Sequence, residues 1–380
     1  MAAPIERSPR MSYPSRVEID LSALASNVRW LKARVGDTAL MAVVKANAYG
    51  HGAPAVAQAA LRAGADMLAV ANLAEARELR AAGIDAPILV LSYAPAESIL
   101  DAIKCDLILS VYDSGFAEQC IAAASRPPAD LAVHVKVDTG MGRLGILPSD
   151  AYRVCQLLRE AAGIRLEGIY THFATADDDP AYMREQLKTF KSMLARIGMT
   201  GNRFKYIHAA NSAALVNGCE ALFNLVRPGI LLYGLEPMPA SGLAKRLKPV
   251  MSWKTQVAQV KTLPPDSPVG YGNAYRTRGE ETIAVLPVGY ADGLRRAPQA
   301  WREVLIHGRR APLIGRVSME KITVNVSHIP QVKVGDEAVL LGRQGEQRIS
   351  ADEIARWIGS NNYEVVTSIA PRVPRSFLNG

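Results

Sequence analysis

Apolar residues in the first two thirds of the chain form short continuous runs separated by amphipathic stretches. After Asp20, apolar side chains recur at the spacing of one helix face as far as Val35, and Gly36 suits the end of a helix. The runs themselves do not alternate with polar residues, as expected for strands buried on both faces of a parallel sheet. Eight such runs are ALMAVV at 39–44, Met67–Val70, Ile88–Leu91, Leu107–Leu109, Leu131–Val137, Gly168–His172, Tyr206–His208 and Leu225–Arg227.

Helical patterns separate most of these strand candidates, as in the segment AEARELRAAG after Leu73. Eight strand–helix units in about 220 residues predict an α/β fold, a (β/α)8 TIM-like barrel over residues 16–245. An open, doubly wound sheet is the competing arrangement for the same pattern.

The hydrophobic pattern changes after residue 245. Short β-rich runs are now divided by turns that contain Gly, Pro or Asp: SWKTQVAQVKTL, TIAVLPV, EVLIHG, APLIGRVS, ITVNVS and EAVLLG. They predict a separate C-terminal all-β domain over residues 246–380. Ser350 and Asp352 begin a final helical pattern that extends to Ile358. Residues 1–15 are expected to form an N-terminal extension.

Composition and charge narrow the classes of function. Apolar residues make up 49% of the 380 residues, enough for a large buried core and too many for a disordered chain. The formal net charge is +8, but Lys and Arg are interspersed with Asp and Glu, so no nucleic-acid partner is expected. The positive charge fits either a basic cleft for an anionic small molecule or an ordinary soluble surface.

The cysteines predict the compartment. Cys105, Cys120, Cys155 and Cys219 form no CxxC pair, which favours reduced thiols in a cytoplasmic protein. The polar N-terminus lacks the apolar core of a secretory signal, and no apolar run approaches the roughly 18 residues of a membrane helix. We therefore expect no membrane association.

Lys45 is the first candidate for chemistry. It follows the first predicted barrel strand in AVVKANAYGHG, and active sites of this fold gather at the carboxyl ends of the strands. An amine in a barrel mouth has a lowered pKa and is suited to Schiff-base formation. Read alone, a lysine after a strand is more often an ordinary loop residue. Gly50 and Gly52 permit a tight turn beneath a ligand.

The segment DTGMGRLG imitates a dinucleotide-binding motif. Gly140, Gly142 and Gly145 match GxGxxG after a strand, but Pro148 follows almost at once and the next helical pattern begins near Ser149. A dinucleotide site needs a helix that opens on the last glycine, so this reading is rejected. The six histidines show no paired metal-ligand spacing, and no metal site is expected.

The motifs taken together identify a resemblance. AVVKANAYGHG resembles the cofactor-lysine signature of alanine racemases, and further matching motifs follow in order over nearly the whole chain after residue 16. They include HVKVDTGMGRLG, EGIYTHFATAD, HAANSAA, VRPGI, VGYGNAY, GRVSME and YEVVTSIAPRVPR. The resemblance implies an eight-stranded barrel, a C-terminal β domain, the cofactor pyridoxal 5′-phosphate, alanine as substrate and a homodimer with shared active sites.

The resemblance implies two catalytic bases, Lys45 and Tyr271. Racemisation removes a proton on one face of the substrate and delivers one on the other, which a single fixed base cannot do. Tyr271 lies between Gly270 and Gly272, where a tyrosine is otherwise often a turn residue. The partner subunit is expected to supply it.

The cofactor ligands also follow from the resemblance. Arg227 would face the pyridine nitrogen and, because it keeps its proton, leave that nitrogen unprotonated. Read alone, Arg227 fits a structural arginine, and Asn211–Ser212 fits a helix N-cap. The phosphate ligands would be Ser212, Gly229 and Ile230, with Tyr49 and Tyr363 closing the shell and Asn211, Leu91 and His172 bordering the cofactor.

Arg143 and Met319 are the expected substrate ligands, with Met319 acting through its backbone. Lys136 aligns with a lysine that is often carbamylated in the family, and a carbamate would fix Arg143; an unmodified Lys136 paired with Asp138 is the alternative. Glu320 stands where the family usually has Asp, which puts the geometry near the substrate carboxylate in doubt. Pro228 replaces an aromatic residue with little expected consequence.

Three other functions remain as alternatives. The first is a racemase of the same family for serine or a larger amino acid, against which the bulky Tyr363 argues. The second is a decarboxylase on the same barrel, which typically needs a catalytic cysteine that this chain lacks after Cys219. The third is a non-catalytic cofactor-binding barrel, which would not need Tyr271. The product would serve either peptidoglycan synthesis or alanine catabolism.

Overall fold

The structure is a computed structural model that describes residues 13–125, 130–198, 204–217, 221–238, 242–243 and 246–379. The chain divides into two compact units. One unit, the barrel unit, is Leu21–Val250; the other, the β unit, combines the residues up to Asp20 with Met251–Asn379. The first strand, β1 (Arg16–Asp20), belongs to the β unit.

The barrel unit contains a closed parallel barrel. Its eight strands in the described part of the chain are β2 (Ala39–Val43), β3 (Met67–Val70), β4 (Ile88–Val90), β5 (Ile108–Val111), β6 (Leu131–Lys136), β7 (Ile164–Tyr170), β8 (Tyr206–His208) and β9 (Leu225–Val226). Each strand pairs with the next, and β9 closes on β2 through Ala39–Leu225 and Leu40–Val226. The predicted barrel is confirmed, and the open sheet is wrong because the first and last strands are paired.

Helices alternate with these strands. They are α1 (Leu21–Val35), the helical turn α2 (Lys45–Tyr49), α3 (Ala53–Arg62), α4 (Leu73–Ala81), α5 (Ile99–Lys104), α6 (Ser114–Ala124), α7 (Ala151–Glu160), α8 (Pro180–Arg196) and α9 (Ser212–Val216), with 3-10 turns at Ala96–Ser98 and Ile230–Tyr233. Side chains of Asn72 and Asp113 accept backbone N–H bonds at the starts of α4 and α6, which satisfies amides that have no partner inside a helix. Helix α1 ends where the sequence predicts, before Gly36 in left-handed backbone (φ 60°).

The β unit is built on one large sheet. Its further strands are β10 (Met251–Gln256), β11 (Gln259–Leu263), β12 (Pro268–Val269), β13 (Tyr275–Arg276), β14 (Glu281–Leu286), β15 (Glu303–Ile306), β16 (Arg309–Ile314), β17 (Ile322–Asn325), β18 (Glu337–Gln344), β19 (Gln347–Ile349) and β20 (Arg375–Leu378). The sheet order is β11-β14-β17-β16-β15-β18-β10-β1-β20, with β19 on β18, while β12 and β13 pair separately. The predicted sheet-rich C-terminal domain is confirmed.

Residues 16–20, which the predicted domain boundary places with the barrel, form strand β1. It pairs antiparallel with β10 and parallel with β20, so residues 16–20 lie in the β unit. The physical reason is visible in the side chains: Val17 and Ile19 are buried, whereas Arg16, Glu18 and Asp20 are half-exposed. This alternation suits a sheet with one buried face and not the doubly buried strands of the barrel.

Two helices follow the strands of the β unit, α10 (Ala351–Ile358) and α11 (Asn362–Thr367), and 3-10 turns lie at Tyr271–Asn273 and Tyr290–Asp292. The Ser350 hydroxyl accepts from the Glu353 N–H at 3.1 Å and caps α10, as its predicted position requires.

Three of the four cysteines, Cys105, Cys120 and Cys155, are free thiols; Cys219 and residues 1–12 lie outside the described residues. Within the described ranges, no helix is long and apolar enough to cross a membrane. The same ranges contain no group of three or more His, Cys, Asp or Glu residues that could hold a metal ion.

Candidate active site

Lys45 lies at the carboxyl end of β2, directly before an unusual backbone turn. Residues 46–49 all have left-handed backbone, with φ between 52° and 54°, which costs about 1–2 kcal/mol for each residue other than glycine. The Glu75 carboxylate holds this turn by accepting from the N–H groups of Ala46 and Ala71, both at 2.7 Å. The strained turn therefore fixes the path of the chain after β2 and the backbone position of Lys45.

The amine of Lys45 is half-buried and has no hydrogen bond or ion pair within the described residues. Burial lowers its pKa, the nearby positive charge of Arg143 lowers it further, and Glu75 opposes both effects only in part. A lowered pKa leaves more of the amine neutral, which is the nucleophilic form.

The loops after β8 and β9 bring together several predicted phosphate ligands. Asn211 caps α9 by accepting from the Ala214 N–H at 3.0 Å. The buried Ser212 hydroxyl oxygen accepts from the Gly229 N–H at 2.9 Å, at the start of the 3-10 turn Ile230–Tyr233. Two short helical turns thus begin side by side, and the exposed amides of such turns are suited to anions.

Tyr49 belongs to the same group. Its side chain lies against Gly229, where a Cβ would overlap the Tyr49 hydroxyl, so the glycine makes room for the phenol. The ring also packs against Tyr233 with centroids 4.9 Å apart. Burial raises the pKa of Tyr49 to about 12, so this hydroxyl keeps its proton and is available as a donor.

Arg227 is the most enclosed cation of the site, with 4% of its surface exposed. Its Nη1 donates to His208 Nδ1 at 2.7 Å, and its Nη2 donates to the carbonyls of Thr171 at 2.8 Å and Ala209 at 3.1 Å. His172 Nδ1 lies 3.4 Å from the same Nη2. His172, which the sequence places beside the cofactor, therefore also contacts Arg227, and this bond is the longest of the four.

Burial, together with the charge of Arg227, keeps the neighbouring histidines His172 and His208 neutral. Burial and then the positive charge of Arg227 lower the pKa values of His172 and His208 well below their ordinary value. Burial also lowers the pKa of Arg227 itself to about 10, which still leaves it protonated near neutral pH. Arg227 therefore keeps its positive charge beside two neutral histidines.

Lys136 ends β6 and is also buried. Its Nζ donates to the Leu91 carbonyl at 3.3 Å and lies 5.8 Å from the centroid of the Tyr170 ring. Burial, followed by the charges of Arg143 and Arg227, lowers its pKa to about 8. Leu91 thus contacts Lys136 through its backbone carbonyl.

The loop that carries Arg143 is organised by Asp138. This carboxylate accepts four backbone N–H bonds of 2.8–3.1 Å from residues 140–143. Burial alone would raise the pKa of Asp138, but the four N–H bonds outweigh it and lower that pKa. Asp138 is thus engaged by its own loop, and its negative charge opposes the lowering of the Lys136 pKa only in part.

The glycines of the GxGxxG segment serve this loop. A Cβ at Gly140 would overlap the Tyr182 hydroxyl, and one at Gly145 would lie 2.6 Å from the Asp138 nitrogen. The next helix begins only at Ala151. Close packing therefore explains Gly140 and Gly145, whereas Gly142 has open space around it and a positive φ of 67° that favours glycine.

The remaining predicted residues lie in the β unit. Tyr271 begins the 3-10 turn Tyr271–Asn273 between glycines of positive φ and is 66% exposed. Met319 is 56% exposed, and its carbonyl accepts from the Ala291 N–H at 3.0 Å. Glu320 pairs with Arg372 at 2.9 Å. Tyr363 is half-buried on α11.

Sequence reasoning missed a second layer of polar residues inside the barrel. His134, Tyr170 and His208 surround Arg227 and Lys136, yet none of the three was assigned a role. A signal was available, because residues two apart on a strand face the same side. His134 stands two residues before Lys136, and Tyr170 stands two residues before His172. Because Lys136 and His172 were predicted site residues, the same spacing could have pointed to His134 and Tyr170.

Comparisons with known proteins agree with this geometry. Residues 19–237 match the family described as "Alanine racemase, N-terminal domain" and residues 250–377 the one described as "Alanine racemase, C-terminal domain". The chain is 43% identical to the alanine racemase of Desulforamulus reducens over 97% of this chain and 100% of that protein. It is 41% identical to alanine racemase 2 of Caldanaerobacter subterraneus subsp. tengcongensis, over 96% and 95% of the two chains.

A solved structure of alanine racemase from Clostridium difficile 630 matches with a TM-score of 0.91 and 37% identity, over 97% of each chain. These comparisons cover both units of the chain and confirm the resemblance that the motifs indicate. The chain belongs to the alanine racemase family.

Proposed function

We propose that this protein interconverts L- and D-alanine with pyridoxal 5′-phosphate, the cofactor of its family, held on Lys45. The observation that carries the proposal is the Lys45 amine itself. It lies at the carboxyl end of a barrel strand, lacks a partner within the described residues, and has a pKa lowered by burial and by Arg143. A neutral amine at this position is suited to bond with the aldehyde of the cofactor.

The barrel unit fits the cofactor at its two ends. Ser212, Gly229 and Ile230 would hold the phosphate with a hydroxyl and backbone N–H groups, and Tyr49 would add a phenolic donor. Tyr363, which belongs to the β unit, is the second phenol that we propose for the phosphate. Asn211, Leu91 and His172 would border the cofactor. Once bound, the cofactor would draw electrons from the α-carbon of the amino acid and so allow its proton to leave.

Arg227 would face the pyridine nitrogen. Its Nη1 donates to His208, and its Nη2 contacts Thr171, Ala209 and His172, which leaves Nε–H and one N–H of Nη1 without an acceptor among the described residues. A guanidinium whose pKa is about 10 donates and does not accept near neutral pH, so the ring nitrogen would stay unprotonated. We infer that this limits the electron sink and suppresses side reactions such as transamination.

Arg143 would bind the substrate carboxylate and the cofactor's phenolic oxygen, with the backbone of Met319 as a second carboxylate ligand. The planar guanidinium of Arg143 suits a carboxylate. We propose that Lys136 is carbamylated and holds Arg143 in place. Because its pKa is about 8, about a tenth of Lys136 would be neutral at pH 7, and only a neutral amine reacts with carbon dioxide.

Two groups would move the α-proton, Lys45 Nζ for D-alanine and Tyr271 Oη for L-alanine. Each would act on one face of the substrate, which is the minimum that inversion requires. We propose that Tyr271 acts in the partner subunit of a homodimer. Its 66% exposure on its own β unit supports this, because the phenol is available to another surface.

The protein is proposed to be cytoplasmic, since the three described cysteines are free thiols. We propose that the reaction supplies D-alanine for peptidoglycan synthesis or serves alanine catabolism. Both roles fit the interconversion of L- and D-alanine.

Chiral analysis of the product tests the proposal. Purified protein incubated with L-alanine and added cofactor should yield D-alanine until the two enantiomers are equal. L-Serine and L-lysine serve as parallel substrates and should react much more slowly. Faster conversion of either would assign a different amino acid, and no conversion of any would reject racemase activity.

A further inference from the structure

A buried pair of histidines lies behind Arg227. His134 Nδ1 is 2.9 Å from His208 Nε2, and the other nitrogen of His208, Nδ1, is 2.7 Å from Arg227 Nη1. Both histidines are fully buried. His134 Nε2 has no hydrogen-bond partner, which makes it one of very few buried side-chain nitrogens in the described residues without one.

Only one arrangement of protons satisfies this chain of contacts. Arg227 can only donate, so His208 Nδ1 must accept and the proton of a neutral His208 must lie on Nε2. His134 Nδ1 must then accept that proton, which leaves the His134 proton on the unpartnered Nε2. The opposite arrangement would point an N–H of His208 at an N–H of Arg227.

A charged histidine would not fit either. A protonated His208 would donate from both nitrogens and could not accept from Arg227. Burial lowers the pKa of His134 to about 3, with a further decrease from the charges of Arg227 and Lys205. Burial and Arg227 likewise hold the pKa of His208 well below its usual value. Both rings are therefore neutral.

The barrel wall is built around the His134 ring. A Cβ at Gly168 would lie 2.7–2.8 Å from three atoms of this ring, so only glycine leaves enough space there. The pairing of β6 with β7 also shifts register at His134, which lies opposite Gly168. The Tyr206 ring packs beside it at 5.8 Å. A buried donor without an acceptor is costly, so its retention in a dedicated niche calls for a compensating role.

We propose that His134 is a positioning residue that holds His208 in its Nε2–H form, so that His208 Nδ1 accepts from Arg227 and orients the guanidinium. Without an acceptor at position 134, the Nε2–H of His208 would be buried and unpaired. His208 would then shift to the other tautomer, break its bond to Arg227 and free the guanidinium to rotate. The inference rests on the proposed function only for the place of Arg227 at the cofactor ring.

Nitrogen NMR of the ring-labelled histidines tests the tautomer directly, without cofactor or substrate. In the unmodified protein, His208 should be protonated on Nε2 and bare on Nδ1, with its signals identified by their loss in His208→Asn. In His134→Phe, which keeps a ring in the niche, an Nδ1–H form of His208 should appear. Tyr206→Phe alters the neighbouring ring and should leave the tautomer unchanged.

Kinetics and cofactor absorption provide the second measurement. His134→Phe should lower kcat about tenfold with little change in KM and should alter the absorption spectrum of the bound cofactor. His134→Asn, whose Oδ1 can accept in place of Nδ1, should restore most of the loss. If His134 had a purely structural role, folded His134→Phe and His134→Asn proteins would have similar kcat values.

Two outcomes would overturn the proposal: an Nδ1–H tautomer of His208 in the unmodified protein, or a His134→Phe protein with unchanged tautomer and kcat. If His134→Phe does not fold, His134→Leu removes the same acceptor with a smaller side chain and is judged by the same results. A protein without racemase activity would reject the proposed function, and the tautomer measurement would still decide this inference.

Discussion

The two units of the chain hold their site residues in opposite ways. In the barrel unit, Arg227 is 4% exposed and contacts four protein groups, two of them histidines that burial and the charge of Arg227 keep neutral. In the β unit, Tyr271 is 66% exposed and Met319 56% exposed. The barrel residues are positioned by the fold of their own unit, whereas those of the β unit are presented on a surface.

This difference suggests a division of labour. Buried hydrogen bonds hold the guanidinium of Arg227, and burial lowers the pKa values of Arg227, Lys136 and Lys45. An exposed tyrosine in a turn between two glycines acquires a defined environment only when another surface covers it. The following predictions test whether the barrel unit binds and the β unit completes the site.

The largest effect is expected in the barrel unit, from Lys45→Ala. Loss of the amine should lower racemisation by roughly 10³–10⁴-fold, since it removes both the cofactor bond and one base. Reduction with borohydride followed by peptide mapping should place the cofactor on Lys45. Lys104→Ala, an exposed lysine of α5, is the control, and a cofactor label on any other lysine would contradict the assignment.

Tyr271→Phe in the β unit should affect L-alanine and D-alanine differently. Exchange of the α-hydrogen with deuterated solvent should fall about 10²-fold for L-alanine and far less for D-alanine, because only one face loses its base. Mass spectrometry of each enantiomer measures the exchange, with Tyr152→Phe as the control at another exposed tyrosine. Equal losses for both enantiomers would remove the division between the two bases.

Arg227→Glu should change the chemistry of the barrel and not merely its rate. A carboxylate lets the pyridine nitrogen keep a proton, which deepens the electron sink, so racemisation should slow by about 10²-fold and an additional visible absorption band should appear during turnover. Arg227→Lys keeps the charge without the planar fork and serves as the milder variant. Normal racemisation without a new band would reject this role.

Complementation tests whether the two units of one site come from different chains. Lys45→Ala and Tyr271→Ala proteins should each be nearly inactive, but co-expression should restore roughly a quarter of full activity. Random pairing makes about half of the dimers mixed, and each mixed dimer has one intact site of two. No recovery, with mixed dimers shown to be present, would place Lys45 and Tyr271 of one site in the same chain.

The smallest effect should come from Glu320→Asp in the β unit. The shorter side chain would weaken the ion pair with Arg372, but both partners are substantially exposed, and such pairs contribute little. We expect KM for alanine to change by no more than about threefold, measured beside Glu346→Asp as a control. A much larger change would show that the segment after Met319 is more tightly coupled to the substrate than its exposure indicates.

Most of the fold could be predicted because its signals are local. Each of the eight apolar runs overlaps a barrel strand, and α1 and α10 begin and end within a residue or two of their predicted limits. Strand β1 was assigned to the wrong unit because strand pairing joins residues far apart in the chain, here Val17 with Trp253. Its alternating pattern was nevertheless a sign of a one-sided sheet.

The family, the cofactor and the candidate residues Lys45, Arg143 and Arg227 could be read from the sequence, because motif order and residue type are properties of the chain. Only the tertiary structure decided which groups share protons and charge. The neutral pair His134–His208, the pKa of about 8 at Lys136 and the use of Asp138 by its own loop depend on burial and on distances between separate strands. Desolvation and hydrogen bonding act through space, and a linear pattern does not record them.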